Sequence, residues 1–253
     1  MTSPEINRRS FLTVCAAAAS ALTRGVESPL LANEVLTPIT PVREKGVGAT
    51  ELSQKVVALV KEFEGLALTA YRCPSGKWTI GFGHTENVRK GDTLSSVDEA
   101  AKLLMKDMDS HRREVLRVFS GVPLTQGQLD GLTSASFNCW CLKGGESGFA
   151  KRAVPELQKL NRLQDSEERI ECVKSVVTHL CKYNISNKKF MDGLMRRRLS
   201  ESLMIAGAED PVVSPGDYMD LKKALVQVAD AVPTKLLRNM VDLAFRLKGV
   251  RTV

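Results

Sequence analysis

Nothing in these 253 residues is long and apolar enough to cross a bilayer as a helix. The longest nearly uncharged apolar run, Phe11 to Leu22, has 12 residues against the roughly 20 required, so a polytopic membrane protein is excluded. Aromatic residues are scarce, with two Trp, three Tyr and eight Phe, and the interleaved basic and aromatic stripes of a single-strand binder are missing. No nucleic-acid partner is implied. The three histidines are isolated and offer no metal-ligand spacing. Of the six cysteines, Cys139 and Cys141 have one residue between them, and Cys172 and Cys181 have eight; neither pair is a zinc CxxC element. The sequence also lacks a phosphate-binding loop, a dinucleotide fingerprint, internal repeats and coiled-coil heptads. No metal and no cofactor are expected.

What is present describes a soluble chain able to bury a core, with 43% hydrophobic and 26% charged residues. Lys and Arg outnumber Asp and Glu by 36 to 29, a formal net charge of +7. That excess favours an anionic partner such as a lipid surface or an acidic cell-wall polymer. The first residues, MTSPEINRRS, end in two arginines, and FLTVCAAAASAL follows before Arg24 restores charge. This is the order of a basic n-region and an apolar h-region. Arg8-Arg9 resembles a twin-arginine export signal, and Ala19-Ser20-Ala21 offers a small-residue cleavage site. An Ala-rich surface helix and an uncut weak anchor are the alternative readings. Residues 23–52 carry prolines and scattered charge without periodicity and read as a linker.

From Ser53 to Glu64 the residues Val56, Val57, Leu59, Val60 and Phe63 make a helical stripe that Gly65 stops. Runs at Leu66 to Tyr71 and Trp78 to Phe82 flank Pro74-Ser75-Gly76 and predict a hairpin. Ser96 with Glu99 is a capping box for a helix of about six turns. Thr125 with Gln128 starts another, running toward Cys139-Trp140-Cys141, after which Gly144, Gly145 and Gly148 break the chain. Further helices are predicted at Ala153 to Leu160, Asp165 to Leu180 and Lys188 to Ile205. Ser214-Pro215-Gly216-Asp217 then opens two amphipathic helices, 216–231 and 234–247. These either pack on the main domain or lie on a membrane or partner.

The junction of the first helix with the hairpin concentrates chemistry. Glu64 follows Phe63, Cys73 lies nine residues on, and Thr79 six beyond that. A carboxylic acid desolvated by Phe63 and Leu66 can hold a proton and deliver it to a leaving-group oxygen. A Glu at a helix end is, however, more often simply solvated.

Residues Glu64 to Thr85, EGLALTAYRCPSGKWTIGFGHT, resemble the signature of the phage-type lysozymes, the muramidase endolysins of glycoside hydrolase family 24. The resemblance continues through Gly91-Asp92, Pro123-Leu124-Thr125, Ser136-Phe137-Asn138 and Gly193 to Arg198 with Glu201, and spans roughly residues 54 to 205. It implies an α+β lysozyme-like fold, with a small mixed lobe carrying the hairpin, a larger mostly helical lobe and a long helix joining them. It also implies hydrolysis of the bond between N-acetylmuramic acid and N-acetylglucosamine, with Glu64 as general acid and Thr79 seating the attacking water. Cys73 stands where many members carry an aspartate, and a cysteine there is a variant within the family. A thiol with a reference pKa near 8.5 is mostly neutral at pH 7, so Cys73 assists as base only if Arg72, Lys77 or a backbone dipole stabilises the thiolate. The alternative is an inert, half-buried cysteine. His84 matches a histidine that serves as a structural partner within the lobe. The family also contains membrane-tethered members whose active-site cysteine is held in an inhibitory disulfide, which makes Cys15 a candidate partner for Cys73. Cys15 is otherwise a signal residue discarded with the peptide.

Of the adjacent Arg196, Arg197 and Arg198, which point around a helix and cannot all reach one site, one or two are expected to anchor the helix and the rest to attract the anionic wall. The expected organisation is therefore an export or weak anchor segment over 1–22, a linker over 23–52, a catalytic domain over 53–206 and a helical extension over 207–253. The expected protein is a monomeric, exported muramidase acting on peptidoglycan, with transient membrane association through its amino-terminal segment. A noncatalytic wall-binding module and a membrane-active basic protein are the rival readings.

Overall fold

The computed structural model describes residues 48–73, 76–139, 141–186, 189–226 and 233–250. The export segment, Cys15, most of the linker, Pro74, Ser75 and Trp140 lie outside the described residues. Helix α1 (Gln54–Phe63) starts at Ser53, whose hydroxyl accepts the Lys55 N–H, and buries the five apolar residues of the expected stripe. It ends because Glu64 turns extended (φ −98°, ψ 141°) while its N–H still donates to the Val60 carbonyl. The chain then runs directly into strand β1 (Ala67–Arg72), paired antiparallel with β2 (Trp78–Gly81). Their register sets Tyr71 opposite Thr79 and Arg72 opposite Trp78.

Helix α2 (Val97–Val118) is capped by Ser96, which accepts the Glu99 N–H. The return bond reaches one residue further back than a standard capping box, with Ser95 donating both its N–H and its hydroxyl to Glu99. At 22 residues the helix is about 33 Å long, and it joins two cores. Its first half contributes Ala100, Leu104 and Met108 to a small core with α1 and Phe82, and Val115 enters a larger, mostly helical core. His84 pins the turn after β2 to the middle of this helix, with Nδ1 2.8 Å from Asp107.

Helix α3 (Gln126–Cys139) follows a reciprocal cap in which Thr125 and Gln128 exchange bonds. Beyond it lie a short 3-10 turn (Lys143–Gly145), α4 (Gly148–Leu160), α5 (Ser166–Leu180) and α6 (Asp192–Ile205). Helices α3 and α6 are buried on nearly all sides, which is why neither shows a strong apolar stripe. Gly127 and Gly131 let them meet: a Cβ at Gly127 would collide with the Met204 carbonyl, and one at Gly131 would lie 2.8 Å from the Glu201 carbonyl oxygen.

Two sequence expectations change, and one open alternative is decided. α4 begins at Gly148 rather than Ala153, because Ser147 accepts the Ala150 N–H and caps it there. The helix expected from Lys188 begins only at Asp192, after β3 (Ile185–Ser186) and β4 (Lys189–Phe190) form a second two-stranded sheet. Apolar residues in so short a stretch fit either period, and the extended Met191 (φ −122°) marks the break. The carboxyl-terminal helices, α7 (Pro215–Val226) and α8 (Pro233–Leu247), do not offer their apolar faces to lipid. Tyr218, Leu221, Met240, Val241, Ala244 and Phe245 lie in the large core, and the buried Lys174 of α5 reaches Asp242 of α8 at 2.9 Å. No helix among the described residues is long and apolar enough to cross a membrane.

Between the two cores lies His111, 7% exposed, with Nδ1 3.2 Å from the Ser136 hydroxyl and its ring edge-on to Phe137. Burial pulls its pKa down to about 4, against a smaller opposing effect of Glu114. The folded state therefore favours neutral imidazole. The stabilisation is complete above the unfolded value of 6.5 and is lost as pH falls toward the folded value. By pH 4.5 the loss is about 2–3 kcal/mol. Urea unfolding at pH 7 and pH 4.5 should show a steeper loss in the wild type than in His111→Gln, and an identical pH dependence would refute the assignment.

Candidate active site

Glu64 sits at the end of α1 and is 8% exposed. Arg197 of α6 donates from Nη1 to its Oε1 at 2.5 Å, a charge-assisted bond between two buried groups. The same guanidinium donates from Nε to Glu201 at 3.0 Å. Glu201 in turn receives bonds from Arg198 at 3.1 Å and from the Ser134 hydroxyl at 2.8 Å. The result is an alternating chain of acidic and basic side chains, Glu64, Arg197, Glu201, Arg198. Its far end is held by Asn138, which accepts from Arg198 at 2.7 Å.

The hairpin supplies the other wall. Cys73 follows β1 and is buried, its N–H donating to the Lys77 carbonyl. Thr79 in β2 is 3% exposed, and its hydroxyl donates to the Lys77 carbonyl at 3.3 Å. Opposed residues of an antiparallel pair share a face, so Tyr71 and Thr79 point the same way. Tyr71 ties the set together: burial first, then the charges of Cys73 and Glu64, hold its phenol above its ordinary range. Among the described residues no group of three or more His, Cys, Asp or Glu is arranged to hold a metal ion.

The three residues singled out from the sequence therefore flank one junction. Sequence reasoning missed Tyr71 as their common neighbour and Arg197 as the partner of Glu64. The spacing of Glu201, four residues after Arg197 and three after Arg198, was a readable signal for the Arg–Glu part of the cluster. A contact across 133 positions left no trace in local pattern. The arginines also correct the expectation that some face the wall. Arg196 binds Glu62 at 3.1 Å and the Val213 carbonyl at 3.0 Å, and it stacks 4.3 Å over Phe63. All three are occupied within the protein.

The phage lysozyme family matches residues 61–201, from the last turn of α1 to Glu201. The chain belongs to that family. The lysozyme function that the sequence motifs imply, hydrolysis of peptidoglycan, stands on this membership. An endolysin of Acyrthosiphon pisum secondary endosymbiont phage 1 is 32% identical over 62% of this chain and 99% of its own length. A SAR-endolysin of Haemophilus phage HP1 is 28% identical over 62% of this chain and 82% of its own. Among solved structures, the muramidase domain of SpmX from Asticaccaulis excentricus aligns at 28% identity with a TM-score of 0.48, covering 62% of this chain and 98% of that one. In this lysozyme the matched segment runs through both cores and takes in every residue of the Glu64 to Arg198 chain. The α7–α8 extension lies beyond it.

Proposed function

We propose that this lysozyme is an N-acetylmuramidase that cleaves the β-1,4 bond between N-acetylmuramic acid and N-acetylglucosamine, with Glu64 as the general acid. The observation that carries the reading is the buried bond between Glu64 and Arg197, beside the hairpin face that bears Tyr71 and Thr79. Glu64 gives its proton to the glycosidic oxygen as the bond to the sugar C1 breaks. The carboxylate that forms is met by the Arg197 guanidinium already in place, so the new charge is stabilised without reorganisation. Water seated by Thr79 attacks C1 from the opposite face, the inverting arrangement, and passes its proton to Cys73 or to solvent. The test is the release of new reducing ends from purified peptidoglycan. Muramic acid should carry them, and Glu64→Gln should release almost none. Equal release by both proteins, or wall binding without turnover in the wild type, would overturn the assignment.

The basic and then apolar order of residues 1–22 supports export to the cell envelope, as do the relatives named SAR-endolysin. The twin-arginine reading of Arg8-Arg9 lies outside the described residues and draws no support from those relatives. Tethering through this segment, with a Cys15 to Cys73 link holding the site inactive, is tested by the intact mass of the exported protein before and after reduction. Retention of residues 1–22 together with a reducible Cys15–Cys73 bond would favour the link; a chain beginning near Leu22 would discard it.

A further inference from the structure

The chemistry at Glu64 makes no use of Cys139 and Cys141, which stand one residue apart where α3 ends. The four cysteines Cys139, Cys141, Cys172 and Cys181 are thiols, yet their surroundings differ. Cys139 is half-buried; its thiol donates to the Ala135 carbonyl at 3.0 Å, and its sulfur accepts a bond from Arg198 Nη1 at 3.1 Å. Cys141 is fully buried, 1% exposed, just after the helix. It sits in a turn whose carbonyl is held by the Ser147 hydroxyl and which leads into Gly144 and Gly145, both at positive φ. Cys172 and Cys181 lie on or just beyond α5; Cys181 has the Ser202 hydroxyl 3.7 Å away and no guanidinium bonded to its sulfur among the described contacts.

We propose that Cys139 and Cys141 are a redox-active thiol pair, with Cys139 as the exchanging sulfur, Cys141 as the resolving one and an external low-molecular-weight or protein disulfide as the oxidant. The guanidinium beside Cys139 stabilises its thiolate, the form that attacks disulfides. Burial works against ionisation at Cys139, but the bond with the Cys141 thiol and the charge of Arg198 outweigh it, and its pKa falls below the usual range. Burial and the neighbouring sulfur push Cys141 the other way. The two thiols are thereby assigned different roles.

The Cys139 thiolate attacks one sulfur of the oxidant, forming a mixed disulfide and expelling a thiolate. Cys141 then loses its proton, attacks the Cys139 sulfur and expels the second thiolate. Two protein thiols become one disulfide, one external disulfide becomes two thiols, and the protons go to the released thiolates. Arg198 is the third partner in this exchange. It binds Cys139 with Nη1 and Glu201 with Nη2, so oxidation removes one of its acceptors at the end of the chain that leads to Glu64.

The test uses the full chain, reduced and then exposed to glutathione disulfide at pH 7, alkylated and mapped by mass spectrometry. The peptide spanning both residues should lose two hydrogens. Cys141→Ser should instead accumulate glutathione on Cys139, while Cys139→Ser should leave Cys141 unmodified. In the reduced wild type, Cys139 should alkylate about tenfold faster than Cys172 at pH 7, a readout that needs no variant. Alkylation of Cys139 no faster than Cys172, or a Cys141→Ser protein that folds with the wild-type circular dichroism spectrum yet takes up no glutathione at Cys139, would overturn the proposal.

Discussion

Glu64→Gln is expected to lower peptidoglycan hydrolysis by roughly 10²–10⁴-fold, the range that a positioned general acid contributes, with little change in the urea midpoint. The amide keeps the shape of the acid and an oxygen that can still accept the Arg197 bond. Arg197 also keeps Glu201 at 3.0 Å, so the substitution strands no buried guanidinium. What the amide lacks is the proton for the leaving oxygen. Rates of reducing-end release and urea curves on the same preparations separate the two effects. A variant that retains more than a tenth of wild-type activity would remove Glu64 from the role, and one that unfolds at low urea would mean that its contribution is structural.

Glu201→Ala is expected to cost about 3–5 kcal/mol, the usual effect of removing one partner from a buried ion cluster. Its side chain is fully buried, as is that of Arg198, and it gathers bonds from Arg197, Arg198 and Ser134. Taking it away leaves Arg198 with Asn138 and the Cys139 sulfur as acceptors and orphans the Ser134 hydroxyl. The cost is mainly that of an uncompensated charge, so replacing both ions, as in Arg198→Met with Glu201→Leu, should recover part of the loss. Urea unfolding of the single and double variants measures this. A single variant within 1 kcal/mol of the wild type would show that water reaches the cluster and screens it.

The legible part of this protein is the part written in short-range pattern. Ser96, Thr125, Asp165 and Ser214 each announce a helix because a side-chain oxygen within three residues must meet an open amide, and all four do so. The hairpin reads clearly because a turn tripeptide separates two runs of strand-forming residues. Glu64, Cys73 and Thr79 could be named together because one contiguous motif carries them. What could not be read depends on which helices meet. One or two anchoring arginines could be expected among Arg196, Arg197 and Arg198, but not which or against what; the close approach of α3, allowed by Gly127 and Gly131, buries Arg197 and Arg198 against Glu201. The β3–β4 sheet was missed for a related reason, since strands of two residues are too short to show a period. The amphipathic pattern of α7 and α8 was visible, but the pattern alone does not say what covers it.

The placement of α8 sets where the molecule can be cut. Lys174 is held by Asp242 at 2.9 Å and by the more exposed Glu171 at 3.3 Å, and Phe245 and Val241 fill space among core residues of α5 and α6. A chain ended at residue 206 would keep every residue of the Glu64 cluster and still lose its water seal, with Lys174 stripped of its half-buried counter-ion Asp242 and an apolar floor opened to solvent. A fragment that keeps this core closed accordingly reaches Val250, well past Glu201, the last residue that the family match takes in.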